Sequence, residues 1–262
     1  MRRLLILAML ALAACAPLAH AGRPCEDKPV QAPTFIKAVK LAERSYAALE
    51  ASGAQVALIA RVGQDLSKYG LRFSHLGLVW RDHPKGRWMV VHELNTCGTA
   101  QSALFDQGLA QFFLDDMFSY EAGILIPSPA QQERIVALLA GPEVTRMHDA
   151  RYNMLSYAFG TRYQNSNQWV LETYAAGSSE IPVRERAQAQ AWLKLAGYEP
   201  ITLHLLSVTR LGARMFKANI AFDDHPLGRR MAGQIDTVTV ESVVRFVRKH
   251  DAGAQWRVLG GE

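Results

Sequence analysis

The stretch LRFSHLGLVWRDHPKGRWMVVHELN, residues 71–95, constrains the fold more than any other part of the chain. Two runs rich in β-branched and aromatic residues flank HPKG, a Pro/Gly turn, and this predicts an antiparallel strand pair. AQVALIARVG (54–63) precedes it as a nearly unbroken apolar run ending at glycine, which reads as a buried strand. Side chains alternate across a strand, so Phe73, His75, Gly77 and Val79 share a face. Trp88, Val90 and His92 share a face of the next strand. Two histidines on adjacent strands can therefore lie on one side of a sheet.

Helical patterns surround this cluster. Phe35, Val39, Ala42, Tyr46 and Leu49 recur at helical spacing and predict a helix over 34–51. TAQSALFDQGLAQFFLDDM (99–117) reads as helical, and AGILIPS (122–128) as a short strand. Ser128, Pro129 and Gln131 then read as N-cap, first position and third position of a capping box. Val240, Val243, Val244 and Val247 predict a terminal helix. The fold class is α+β, with central antiparallel strands and no repeat or linker.

The first 21 residues, MRRLLILAMLALAACAPLAHA, combine an arginine pair, a short apolar run and small residues, the pattern of an export signal. Two processing sites overlap. Ala19-His20-Ala21 fits a cut before Gly22, and Leu12 to Cys15 fits a lipobox in which Cys15 is lipidated and anchors the chain to the envelope. Either predicts an exported, periplasmic protein. The expected organisation is then 22–53 as an N-terminal segment and helix, 54–176 as the core, and 177–262 as a C-terminal extension packed on it. With Cys15 removed or lipidated, Cys25 and Cys97 remain. An oxidising compartment favours a Cys25–Cys97 disulfide; the rival reading makes Cys97 a nucleophile preceded by His92. Net charge is +5, but basic residues are scattered, and RFVRKH (245–250) reads as a solvated helix face, so nucleic-acid binding is not expected.

The chemistry centres on TRYQNSNQWVLETY (161–174), a loop running into an amphipathic helix with Ser166 between Asn165 and Asn167. One reading is structural: Asn165 caps the helix, Gln168 completes a capping box, and Ser166 is the first helical residue. The other places a nucleophile at the helix start, with His75 and His92 as base and orienting group. A zinc site from His75, His92 and a carboxylate lacks any short ligand spacing to support it, and no cofactor is expected. Glu93 reads as a surface charge and His83 as exposed. Arg61, Asp65 and Ser67 read either as cleft residues or as turn formers, and RYN (151–153) as a place to hold a bound group. Asp115 and Asp116 read as a helix end, Trp169 and Tyr174 as packing.

Taken in order, Ser74-His75-Leu76-Gly77 opening a strand, His92 late in the next, ILIPSPAQQ (124–132), and RYN before a helix-start residue resemble the circularly permuted NlpC/P60 group of papain-like proteins. That group includes the lecithin:retinol acyltransferase-like and YiiX-like proteins, and the resemblance covers roughly residues 54–176. The Asn-Ser-Asn form is similar to that of an uncharacterised family of exported bacterial proteins. The resemblance implies a papain-like core in which His75 is the general base, His92 orients it, and Ser166 occupies the position of the nucleophilic Cys. Its backbone N–H would serve an oxyanion hole. Tyr163, Asn165, Asn167, Asp65 and Ser74 would shape or line the cleft. A thiol near pKa ~8.5 can be stored as a thiolate at such a helix end, whereas a serine needs true general-base catalysis. The expectation is therefore a weak or silent cleft that binds a peptide or cell-wall fragment. The alternative is a serine-dependent amide or ester hydrolase or acyltransferase acting on peptidoglycan, peptide or lipid.

Overall fold

The computed structural model describes residues 29–260 apart from 116, 208, 211 and 213–217. Among these, β1 (Val56–Val62), β2 (His75–His83), β3 (Gly86–Asn95), β4 (Ser102–Gly108), β5 (Ser119–Ile126) and β8 (Gln255–Leu259) form one antiparallel sheet, ordered β4-β3-β2-β1-β5-β8. β6 (Ile201–His204) and β7 (Gln234–Thr237) form a separate antiparallel hairpin. The α-helices with defined bounds among the described residues are α1 (Ala32–Ser52), α2 (Leu109–Leu114), α3 (Pro129–Ala140), α4 (Glu143–Arg146), α5 (Ser166–Ser178), α6 (Arg186–Leu195), α7 (Leu227–Met231) and α8 (Val240–His250). The region 177–262 contributes the sixth strand, β8, to the main sheet.

β1 is central and every residue in it is buried. Val56, Leu58, Ala60 and Val62 enter the core shared with residues of α3, α5 and α8, whereas Ala57 and Ile59 enter the core under α1 and α2. Burial on both faces explains why VALIARV lacks the polar alternation of a one-sided strand. α5 is covered on all sides; of its thirteen residues only Ala176 is not buried. It is therefore not the amphipathic helix its sequence suggests. Its polar residues are matched instead: Gln168 accepts from Ser156, and Glu172 meets Arg186, Gln164 and Gln190. Desolvation raises the Glu172 pKa, and the Arg186 charge opposes that rise.

Residues 99–117 are not one helix. Ser102–Gly108 pairs with β3 as the edge strand β4, and only Leu109–Leu114 is helical. Ala, Leu, Phe and Gln suit a helix locally, but the ladder with β3 satisfies the same backbone groups in the extended form. The Ser128 side chain makes no cap bond at the start of α3; its backbone N–H donates to Asp251 instead. A complete capping box occurs at α8, between Thr239 and Ser242. His83 is half-buried beneath Trp80, with ring centroids 5.1 Å apart.

Gly77 gives His92 its room. A Cβ there would lie 2.5 Å from Val90 Cγ1 and 3.1 Å from His92 Cβ. Gly77→Ala is expected to destabilise the fold by about 1–3 kcal/mol through overpacking and to displace His92, read as a lower denaturant midpoint and a shifted His92 ring resonance.

Candidate active site

The β2–β3 register sets His92 beside Gly77, so the two histidines are diagonal neighbours on one face, and α5 begins beside them. His75 Nδ1 lies 2.9 Å from Ser166 Oγ, and its Nε2 lies 2.8 Å from His92 Nδ1. His92 Nε2 in turn lies 3.1 Å from Gln107 Oε1. The four groups define one direction of hydrogen bonding. The Gln107 carbonyl oxygen can only accept, so His92 carries its proton on Nε2 and presents a bare Nδ1. His75 must then donate through Nε2, which leaves Nδ1 free to accept from the Ser166 hydroxyl. Phe112 closes the far side, its ring centroid 5.9 Å from that of His75 and 5.2 Å from that of His92.

The charge nearest this relay is positive. Arg61 faces His75 across the β1–β2 ladder, is buried, and its guanidinium donates to the Phe112 carbonyl and the Asp115 carboxylate. Burial and then Arg61 hold His75 well below the ordinary histidine value; the same two causes hold His92 at about 3. Both rings are neutral at physiological pH.

Asn165 starts α5, its Oδ1 accepting from Gln168 N at 2.8 Å. Ser166 is thus both the first helical residue and the partner of His75. The expected capping box does not form, because the Gln168 side chain accepts from Ser156 Oγ instead. The first N–H groups of a helix have no intrahelical acceptor and carry partial positive charge. Tyr152 adds a hydroxyl that interacts with Ser166; burial, then Glu93, raises its pKa, so it keeps its proton.

These residues open onto a cleft of about 550 Å³. Ser74, His75, Tyr152, Ser166 and Asn167 line one part, with Asp65 and Cys97 elsewhere on its wall. The side chain of Ser74 accepts from Gly63 N, and its carbonyl accepts from Asn167 Nδ2. Asp65 accepts from Ser67 N and Oγ, so it makes a turn as well as lining the cleft. The cap Asn165 points elsewhere, donating to Thr237 Oγ1, and Tyr163 pairs with Asp223. Neither is part of the cleft lining among the described residues. The opposite wall is apolar, with Leu66, Leu71, Leu155, Leu203, Leu205 and Ile220, several of them from or near the β6–β7 hairpin. Cys25, the expected partner of Cys97, lies outside the described residues, as does Asp116.

Residues 48–247 match the family described as an uncharacterized protein conserved in bacteria, DUF2145. The chain belongs to the DUF2145 family. Among curated proteins and among solved structures nothing matches it. The family match spans every member of the relay, from Arg61 through Gln107 to Ser166.

Sequence reasoning missed two groups near this DUF2145 site. Gln107 was hidden by the helical reading of 99–117. Glu93 faces away from His92, but it is fully buried rather than a surface charge. Its Oε1 accepts from Ser102 Oγ at 2.7 Å, and Ser102 Oγ lies 3.1 Å from His148 Nε2. Desolvation pushes the Glu93 carboxyl up to about 8 from 4.5. A carboxyl raised on folding binds more protons in the native than in the unfolded state between those values, so stability falls as pH rises through them. Unfolding free energy is expected to decline from about pH 6.5 to 9, above the range where the histidines titrate in the unfolded chain, and Glu93→Gln is expected to flatten that decline. The buried neutral histidines act in the opposite sense, removing stability as pH falls below about 6.5.

Proposed function

We propose that this protein is an exported envelope enzyme that transfers or hydrolyses an acyl group, with Ser166 as nucleophile and His75 as general base. The observation that carries the reading is the 2.9 Å contact between Ser166 Oγ and His75 Nδ1, backed by His92 and Gln107. A serine needs a neutral imidazole that takes its proton during attack, and the protonation pattern of the relay supplies one. The Ser166 hydroxyl attacks an amide or ester carbonyl while its proton passes to His75 Nδ1. His92 holds the rising positive charge through the His75 Nε2–H bond. The carbonyl oxygen becomes an oxyanion beside the α5 N-terminus and the Tyr152 hydroxyl. His75 then returns the proton to the departing amine or alcohol, and water or a second acceptor releases the acyl group from Ser166.

We further propose that the core is related to the permuted NlpC/P60 proteins, on the order of His75, His92 and a helix-start nucleophile. The leader supports export, with a lipid anchor at Cys15 as one outcome and a cut before Gly22 as the other. A Cys25–Cys97 disulfide would pin the N-terminal segment to the cleft rim.

A second reading has its own observation. Arg61 opposes a positive charge on His75, which weakens that base and suits a cleft that binds a peptide or cell-wall fragment without turning it over. Labelling with a fluorophosphonate separates the two. Wild type is expected to be labelled, Ser166→Ala not at all, and His75→Ala more slowly by about 10²–10⁴-fold. The acid limb of the labelling rate is expected below pH 6.5, because His75 is active once deprotonated and its pKa is lowered. Arg61→Met is expected to move that limb upward. No labelling of the folded wild type at any pH would leave the binding reading.

A further inference from the structure

Among the described residues, the cleft beside Ser166 holds acceptors without a hydrogen-bond partner. Asn167 follows the proposed nucleophile directly, is only 8% exposed, and lines the cleft. Its Nδ2 donates to the Ser74 carbonyl, which fixes which side of the amide is the oxygen, and its Oδ1 is buried without a partner. Asn219 also lines the cleft, and its Oδ1 is likewise buried without a partner. Buried acceptors left unmade are costly, and most buried polar groups in folded proteins are paired. Orphaned acceptors gathered around one cleft call for a ligand that brings donors.

Resting on the acyl-transfer reading above, we propose that Asn167 Oδ1 receives an N–H of the bound acyl group, so that the cleft selects an aminoacyl or peptidyl group over a plain fatty acyl chain. A hydrocarbon acyl chain has no donor to offer at that position and would leave the oxygen stranded. An aminoacyl residue offers its own amide N–H close to the reacting carbonyl, where a residue next to the nucleophile can reach it. The apolar wall of Leu203, Leu205 and Ile220 fits the same substrate, because it gives an apolar side chain somewhere to pack. Asn167 is therefore a specificity residue, and the single group it reads is the N–H of the acyl residue.

The test compares N-acetyl-leucine dimethylamide with its N-methyl-leucine counterpart, two probes that differ by one N–H. Dissociation constants are read by protein-observed NMR on protein carrying Ser166→Ala, so binding does not depend on Ser166 being reactive. The N–H probe is expected to bind about 10-fold more tightly, the size of one buried acceptor gaining its partner. Asn167→Leu is expected to bring the ratio close to one. Asn167→Ala, which removes the acceptor without added bulk, is likewise expected to bring the ratio close to one and serves where the leucine variant does not fold. A ratio near one in the Ser166→Ala protein overturns the proposal, as does a preference that survives Asn167→Leu or a failure of both probes to bind. A retained ratio in a protein whose wild type resists fluorophosphonate would sink the acyl-transfer reading while keeping the assignment of Asn167.

Discussion

The site depends on one junction: the first residue of α5 meets the first residue of β2. Both are chain ends of regular elements, and neither side chain could reach the other if either element were shifted by a turn or a residue. α5 is held against that shift because it is buried all round. Its Glu172 is fixed by Arg186, Gln164 and Gln190, and Asn165 closes its start. A helix placed by packing alone can slide over an apolar surface at modest cost. One carrying a buried, bonded carboxylate cannot, since any slip strands the charge. The polar residues that make α5 look amphipathic in sequence are thus the ones that set its axial position.

Arg61 shapes what the junction can do. A cationic neighbour on the strand opposite His75 works against an imidazolium, which is what a stored thiolate–imidazolium pair requires. A serine at position 166 is consistent with that field. With the rings held neutral, the proton remains on the hydroxyl until a carbonyl arrives. Asp115 balances part of the Arg61 charge, and His92 offers a bonded partner when His75 becomes charged. The cost of the arrangement is a weaker base, and that same weakness is the physical content of the non-catalytic reading.

Much of this was legible in the chain. The unbroken apolar run of β1, the Pro/Gly turn between β2 and β3, and the alternation placing His75 and His92 on one face are short-range signals that tertiary context did not override. Ser166 was legible as a helix start because Asn165 is a favoured N-cap residue. Gln107 was not, because an edge strand takes its state from the partner ladder, and its own residues favour a helix. Glu93 was misread for a related reason: alternation says which face a side chain occupies, not whether that face is covered. The covering elements come from distant parts of the chain, as does the β6–β7 hairpin that supplies the apolar wall. Tyr152 sits in the RYN stretch singled out as a place to hold a bound group, but its contact with Ser166 needs the fold.

The position of Gln107 decides the sense in which the hydrogen bonds run towards Ser166. Neutral histidines in series can carry hydrogen bonds in either direction, and nothing in the pair itself chooses. If the amide nitrogen of Gln107 faced His92, that ring would have to accept at Nε2 and donate from Nδ1. His75 would then donate to Ser166, and the hydroxyl oxygen would be an acceptor with no base beside it. The difference between a serine poised to attack and one that is only hydrogen-bonded is therefore the orientation of a single carboxamide on the edge strand.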